Sequence, residues 1–310
     1  MFKKTLIAAA VATMASSVAM ADVKIGGKVE QQQQKSEAGE WSGWSDVRLT
    51  VSGDEDLGNG MSAFFKFQDE MGLRTGAGTQ QYDQLVGLKS SAGTLIMGKV
   101  EDFTESKVMS MTDKTMGAGG VEIGANLGRN EGAIAYVSPS FSGLTVGVAG
   151  YALSASGGDQ DAFDAVDLGL MYSNGPLSVN VAFENDKRAA TAATAATAAF
   201  DSGDSTSIGA SYAAGDLTVA ATQQMTSYDT AGKADEDDTS IAVTYNMGNN
   251  KVVVGWNDNE TSAGATVTDT NSNVIELQHS FSKTTAAYVQ FYNTDVAAGD
   301  TTSFGLQHSF

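Results

Sequence analysis

The sequence predicts an all-β protein, a transmembrane barrel of sixteen antiparallel strands joined alternately by short turns and long loops. Three observations predict it. Apolar residues recur at every second position through segments of about ten residues, the pattern of strands with one apolar and one polar face. The connections between segments alternate between short and long, as in outer-membrane barrels. No run of about 18 or more apolar residues follows residue 21, which excludes a membrane protein built of helices.

The elements follow in order. Residues 1–21 read as a secretory signal: basic Lys3 and Lys4, an apolar stretch from Leu6 to Ala15, and the small-residue end Ala19-Met20-Ala21, with cleavage after Ala21. The mature chain, 22–310, then forms a single barrel domain. Its first segment, 22–35, alternates Val23, Ile25 and Val29 with Lys24, Lys28 and Glu30. The second, 44–53, sets Val47, Leu49 and Val51 against Asp46, Arg48 and Thr50. Strands are expected next at 61–71, 81–90, 93–101, 128–137, 143–154 and 164–173. At 177–186, Val179, Val181 and Phe183 alternate with Ser178, Asn180 and Glu184. The remainder are expected at 205–213, 216–228, 239–247, 251–260, 273–282, 285–295 and 301–310. Turns such as 90–92, 174–176, 214–215, 248–250 and 282–284 are short. The connections at 72–80, 102–127, 155–163, 187–204, 229–238 and 261–272 are long and polar or acidic. The Thr-Ala-Ala repeat over 189–199 reads as a flexible outer loop. Sixteen strands of about 9–11 residues use roughly 144–176 residues, leaving enough for the loops.

Composition excludes other classes. The chain has 18 Lys+Arg against 37 Asp+Glu, a formal charge of −19, so it lacks the basic surface a nucleic-acid binder needs. It has no cysteine, so disulfide scaffolds and thiolate metal sites are excluded, and no cofactor is expected. Even-numbered strands end on an aromatic: Tyr136, Tyr172, Tyr212, Tyr245, Phe281 and Phe310. Rings repeating once per hairpin at strand ends read as an interfacial girdle.

Several segments resemble the general porins of Gram-negative outer membranes, and the likeness spans essentially the whole mature chain. Gly53-Asp54-Glu55-Asp56-Leu57-Gly58-Asn59-Gly60 is similar to that family's first periplasmic turn. Leu85-Val86-Gly87-Leu88-Lys89 with Gly93-Thr94-Leu95-Ile96-Met97-Gly98-Lys99 is similar to its fourth and fifth strands. Arg129-Asn130 through Tyr136-Val137-Ser138-Pro139-Ser140-Phe141-Ser142-Gly143-Leu144 is similar to the strand and turn after its constriction loop. The resemblance implies a homotrimer in the outer membrane, in contact with lipid and lipopolysaccharide, that passes small hydrophilic solutes by diffusion. It also implies that 102–127 is the third loop, folded into the lumen, and that Phe310 is a signal for the barrel-assembly machinery.

In lipid the barrel must close and its polar phase must face inward, and sixteen strands enclose a bore too wide to fill with side chains. Counting along the strands places Lys28, Arg48, Lys66, Lys99 and Arg129 near mid-height, as a basic wall. Lys28, Arg48, Lys99 and Arg129 match the porin family's basic cluster. Lys66 comes from strand position alone, and the phase of Lys99 is shared with Leu95 and Met97. On the facing loop Asp113 matches a family acid. Gly117 stands where the family has a second acid, and Lys114 is added. Glu101, Asp102 and Glu105 are expected to strengthen the acidic side near the loop root. The expectation is weak cation selectivity that fades with salt, helped by acidic loops such as Asp235-Glu236-Asp237-Asp238. That run either bridges to lipopolysaccharide through divalent cations or is simply solvated.

Two other function classes were weighed. An outer-membrane hydrolase needs a base, and the only histidines, His279 and His308, lie in outward Leu-Gln-His-Ser-Phe ends near the periplasmic interface. A substrate-specific channel or a surface adhesin is the alternative to a general pore. A specific channel should show an aromatic track along the lumen, and the polar phase carries none.

Overall fold

The computed structural model describes residues 22–72, 79–124, 127–152, 163–187, 202–229, 233–263 and 266–310. The leader 1–21 and the Thr-Ala-Ala segment 189–199 lie outside the described residues. Among the described residues the chain forms sixteen strands. They are β1 (Lys24–Ser36), β2 (Trp41–Gly58), β3 (Met61–Gly72), β4 (Thr79–Ser90), β5 (Gly93–Glu101), β6 (Arg129–Val137), β7 (Leu144–Tyr151) and β8 (Ala165–Asn174). They continue with β9 (Leu177–Asp186), β10 (Gly203–Ala214), β11 (Leu217–Tyr228), β12 (Asp235–Met247), β13 (Asn250–Ala263), β14 (Thr266–Ser280), β15 (Thr285–Thr294) and β16 (Thr301–Ser309). Each pairs antiparallel with its sequence neighbours, and β16 pairs with β1 to close the barrel.

Alternation decides which face each residue takes. Along β14, Ser272, Val274, Glu276 and Gln278 are buried inward, while Ile275, Leu277 and His279 are exposed outward. The same outward phase carries Ile134, Leu168, Phe183, Ile208, Val219, Ile241, Val254, Phe291 and Leu306 around the circumference. Such residues facing water would make a large sticky surface; facing acyl chains they are at home. The rings expected to form the girdle, Tyr136, Tyr212, Tyr245, Phe281 and Phe310, are exposed on the outside, with Tyr172 half-buried. His279 lies outward with them, its ring edge-on to Phe281 at 4.8 Å, and its Nδ1 shares a hydrogen bond with Asn250 at 2.8 Å.

Three expectations need correction. The octapeptide 53–60 is not all turn: β2 runs, with a register slip after Asp56, to Gly58 (φ 78°), and the two-residue connection is Asn59 (φ 53°) and Gly60 (φ 75°). Two successive positive φ angles match the right-handed twist of a tight hairpin, which is why Asn-Gly stands there. Second, the run Asp235–Asp238 is strand, not loop: it begins β12 and pairs with β11 and β13. Third, β13 and β14 extend to Ala263 and Thr266, so most of the expected loop 261–272 is hairpin. Above the membrane a hairpin needs no apolar phase, so alternation stops before the ladder does.

Replacing Gly60 with Val forces a β-branched residue into the left-handed region, which costs about 1–2 kcal/mol. Asn59→Gly should be nearly neutral. Urea unfolding in detergent, followed by the heat-sensitive gel mobility of the barrel, checks both.

Candidate functional site: the loop-narrowed lumen

The connection between β5 and β6 does not leave the barrel. It begins with two short helical turns, Thr104–Val108 and Met109–Met111, and lies along the inner wall from β7 round to β1. The wall makes room for it with small inward residues. Ala133, Ala135, Ala149, Ala165, Ala182, Ala220 and Ala242 are all buried. A Cβ added to Gly169 would come within 2.7 Å of the Phe103 ring, and one on Gly147 would also strike it. Gly209 makes the same room for Met111 and Val108, and Gly255 for Val121. The apolar side of the loop is thereby packed: Phe103, Val108, Ile123 and Leu127 join Val100, Tyr151 and the alanines at 133, 135, 149, 165 and 182 in one cluster.

A backbone laid against a wall needs partners for its N–H groups. Inward carboxylates and amides supply them. Phe103 N donates to Asp167 Oδ2 (2.6 Å), Leu127 N to Glu184 Oε2 (3.2 Å) and Gly124 N to Asp238 Oδ2 (3.0 Å). Met116 N and Gly117 N donate to the two oxygens of Glu276 (2.8 and 2.9 Å). Ala118 N donates to Gln32 Oε1, and Gly119 N to Gln290 Oε1. The inward acids of β8, β9, β12 and β14 therefore act as clamps.

Across the opening lies the wall formed by β1 to β6. Lys28 Nζ donates to Glu30 (2.8 Å). Arg48 donates through Nε and Nη2 to Glu70 Oε2 (2.8 and 2.5 Å), its cross-strand partner. Lys66 Nζ donates to Asp83 Oδ2 (2.7 Å). Arg129 is surrounded by acids: it donates to Glu101 and to Glu105 (2.8 Å), and Asp83 Oδ1 lies 3.6 Å from its Nε. Lys99 lines a cavity of about 560 Å³ together with Gln80, Tyr82, Glu105 and Arg129.

Three sequence-predicted acids take places other than those expected. Glu101 and Glu105 stand on the basic wall as partners of Arg129, not opposite it. Asp102 is 1 % exposed and faces the loop root, where its carboxylate accepts N–H groups from Glu105 (2.6 Å) and Gly128. Burial, and then the charge of nearby Glu184, holds the Asp102 carboxyl well above the usual carboxylate range. Asp113 is exposed to the opening, and Lys114 beside it donates to the backbone of Ser110.

Three register slips mark this wall, one next to the β2–β3 turn between Asp56 and Gly58 and two beside the bases. Between β3 and β4 the register slips, so Tyr82 and Asp83 together oppose Gln68. A bulge lets consecutive residues share a face: Asp83 reaches Lys66, and the Tyr82 ring lies 3.9 Å from the Arg48 guanidinium and 4.4 Å from that of Arg129. The third slip falls between Gly98 and Val100, with Gly98 at φ 133°. Lys99 is thus not held to the outward phase of Leu95 and Met97. Sequence reasoning missed Tyr82, because strict alternation puts it in phase with outward Val86 and Leu88. It also missed Glu30, Glu70 and Asp83. Glu70 lies one residue from the position that a plain count from the Asn59-Gly60 turn sets opposite Arg48, and the slip between Asp56 and Gly58 brings it into register.

A family model described as Gram-negative porin matches residues 8–299. The chain is a Gram-negative porin. It therefore belongs to a channel family without catalytic chemistry and resides in the outer membrane. An outer membrane porin protein of Bordetella pertussis is 30% identical over 161 residues, covering 44% of this chain and 41% of that one. The major outer membrane protein P.IB of Neisseria meningitidis serogroup B is 27% identical over 192 residues, 57% of each. The porin thus aligns with about half the length of these curated relatives. Among solved structures, OmpF of Salmonella typhi in complex with daunomycin superposes with a TM-score of 0.75 at 14% identity, covering 93% of this chain and 97% of that one. An anion-selective porin from Comamonas acidovorans superposes with a TM-score of 0.72 at 21% identity, covering 94% and 100%. These two likenesses show the fold.

Gly169→Leu should drive Phe103 off its seat. Overpacking of this kind costs about 1–3 kcal/mol. Its electrical signature is a noisier and larger single-channel conductance as the loop loosens, while a Gly175→Asn turn variant, at φ 58° where Asn is tolerated and an added Cβ meets nothing, should conduct as the wild type does.

Proposed function

We propose that this porin forms a water-filled channel for passive diffusion of small hydrophilic solutes and ions, weakly selective for cations, with the β1–β6 wall and the β5–β6 loop as its narrowest level. One observation carries the preference. Four wall bases, Lys28, Arg48, Lys66 and Arg129, hold five carboxylates, Glu30, Glu70, Asp83, Glu101 and Glu105. Asp113 adds another acid at the loop tip, with Lys114 beside it. Lys99 on the same wall brings the bases to six against six acids, and Asp46, the cross-strand partner of Glu30, is a seventh acid; the ring is therefore close to balance with an acidic excess of one, and an aqueous gap lined this way favours cations modestly. The chain's −19 charge adds to this in the vestibules, but beyond about 8 Å at physiological salt distant charges are screened. The Comamonas relative, described as anion-selective, illustrates that the fold leaves the sign of selectivity to side chains.

Homotrimeric assembly is part of the same reading. Outward Gln31 and Gln33 sit beside Leu306 and Phe304 on the lipid-facing side of β1 and β16, and Ser45 on β2 donates to Gln31. Amides at membrane depth are costly against acyl chains, and a neighbouring subunit would cover them. The Phe310 signal to the assembly machinery is supported by its exposed ring and by its backbone pairing with Gly27, which keeps it in line with the β1 edge.

Planar-bilayer recording tests the whole reading. Insertion should give three coupled conductance steps, and a KCl gradient at about 0.1 M should give a reversal potential favouring K⁺. Arg129→Gln leaves three carboxylates with less compensation. It should raise the K⁺/Cl⁻ permeability ratio about threefold at 0.1 M and by less near 1 M, where the Debye length is about 3 Å. Anion preference in the wild type at low salt would overturn the selectivity, and absence of conductance would turn the reading toward a surface adhesin.

A further inference from the structure

Arg48 and Arg129 project from β2 and β6, with three strands between them, so no direct ladder between their strands sets the distance between them. Both nevertheless lie against one ring, 3.9 and 4.4 Å from the Tyr82 centroid, which keeps two like charges within about 8 Å of each other. The electron-rich face of the ring offsets the repulsion. The edges of the two guanidiniums are engaged as well: Arg48 donates to Glu70, and Arg129 to Glu101 and Glu105. Tyr82 can reach this place only because the β4 bulge gives it the same face as Asp83.

We infer that Tyr82 is a specificity-determining positioning residue, whose ring holds the Arg48 and Arg129 guanidiniums flat against the wall so that a passing ion meets their carboxylate partners instead of free cation faces. The inference rests on the reading of this wall as the constriction. An anion in the gap finds these guanidiniums covered on a face by the ring and occupied at the edge by carboxylates. A cation finds the carboxylates of Glu70, Glu101 and Glu105 beside them. Without the ring, the two guanidiniums separate, hydrate and turn toward the lumen, and the wall becomes more attractive to anions with no change in its charge.

The test compares wild type, Y82F, Y82L and R48K in planar bilayers under a KCl gradient at about 0.1 M, with R129Q alongside and heat-sensitive gel mobility confirming that each barrel is folded. Y82F keeps the ring and should keep the wild-type K⁺/Cl⁻ ratio. Y82L should lower that ratio about twofold or more, the scale of a cation–π contact of 0.5–1 kcal/mol. R48K retains the charge but loses the planar stack, and should shift the ratio in the same direction; a wall that merely counts charges would not respond to it. If Y82L does not fold, R48K decides. Ratios for Y82L and R48K equal to wild type, with R129Q still shifted, would overturn the role of Tyr82 and leave the constriction standing. An unshifted R129Q would instead bring down the constriction reading itself. A Y82F shift as large as that of Y82L would also overturn the inference, since the ring would then not be the operative group.

Discussion

Everything in this molecule descends from the inability of acyl chains to hydrogen-bond a backbone. Each unsatisfied peptide group in hydrocarbon costs several kcal/mol, so the strand ladder must close on itself, β16 onto β1. Closure with sixteen strands fixes a bore too wide to be filled by side chains from the wall. A second segment must enter if the bore is to be narrowed, and the β5–β6 loop does so. That segment carries its own backbone requirement into the barrel. The answer is a bed of alanines and glycines that lets it lie close, and the inward acids Asp167, Glu184, Asp238 and Glu276 that accept its N–H groups.

The inward carboxylates therefore fall into two populations with different work. Those on the far side spend their charge on loop backbone. Those on the near side, Glu30, Glu70, Asp83, Glu101 and Glu105, spend it on the wall bases. The formal charge of the chain does not distinguish them, and so it is a poor guide to what an ion experiences at mid-height. On the proposed reading, selectivity depends on a difference of about one charge within a nearly neutral ring. A property that rests on so small a difference responds to how each charge is presented as well as to how many there are.

Much of the architecture was legible because period-two alternation is imposed by lipid on one side and water on the other. Wherever both acted, as in β14 from Ser272 to His279, the face of each residue could be read directly. Legibility ended where one of them was missing. Past the extracellular membrane edge both faces of a hairpin are wet, so the early parts of β12 and β14 looked like loop. It also ended at Asp102: a sequence shows an acid at a loop root, but not that the chain folds over it and turns it toward Glu105 and Gly128. Lys28, Arg48, Lys66 and Arg129 could be placed because height along a strand is counted from its turns. Tyr82 could not, since one extra residue in β4 reverses the parity on which the count relies.

Two of the three register slips of the near wall, in the β3–β4 and β5–β6 pairings, lie beside the bases that they help to arrange. Strict alternation allows an inward side chain only at every second residue, about 6.6–6.8 Å apart along a strand. That spacing is too coarse to bring a ring, an acid and two guanidiniums into mutual contact. A bulge supplies two consecutive inward positions and so raises the local density of chemistry without widening the barrel. The loss of a ladder bond or two is tolerable there because the slipped backbone borders an aqueous lumen that can hydrate it. The regular part of the barrel answers to the membrane, and the irregular part to the solute; the place where the repeating pattern fails is where this chain can differ in selectivity from others of the same fold.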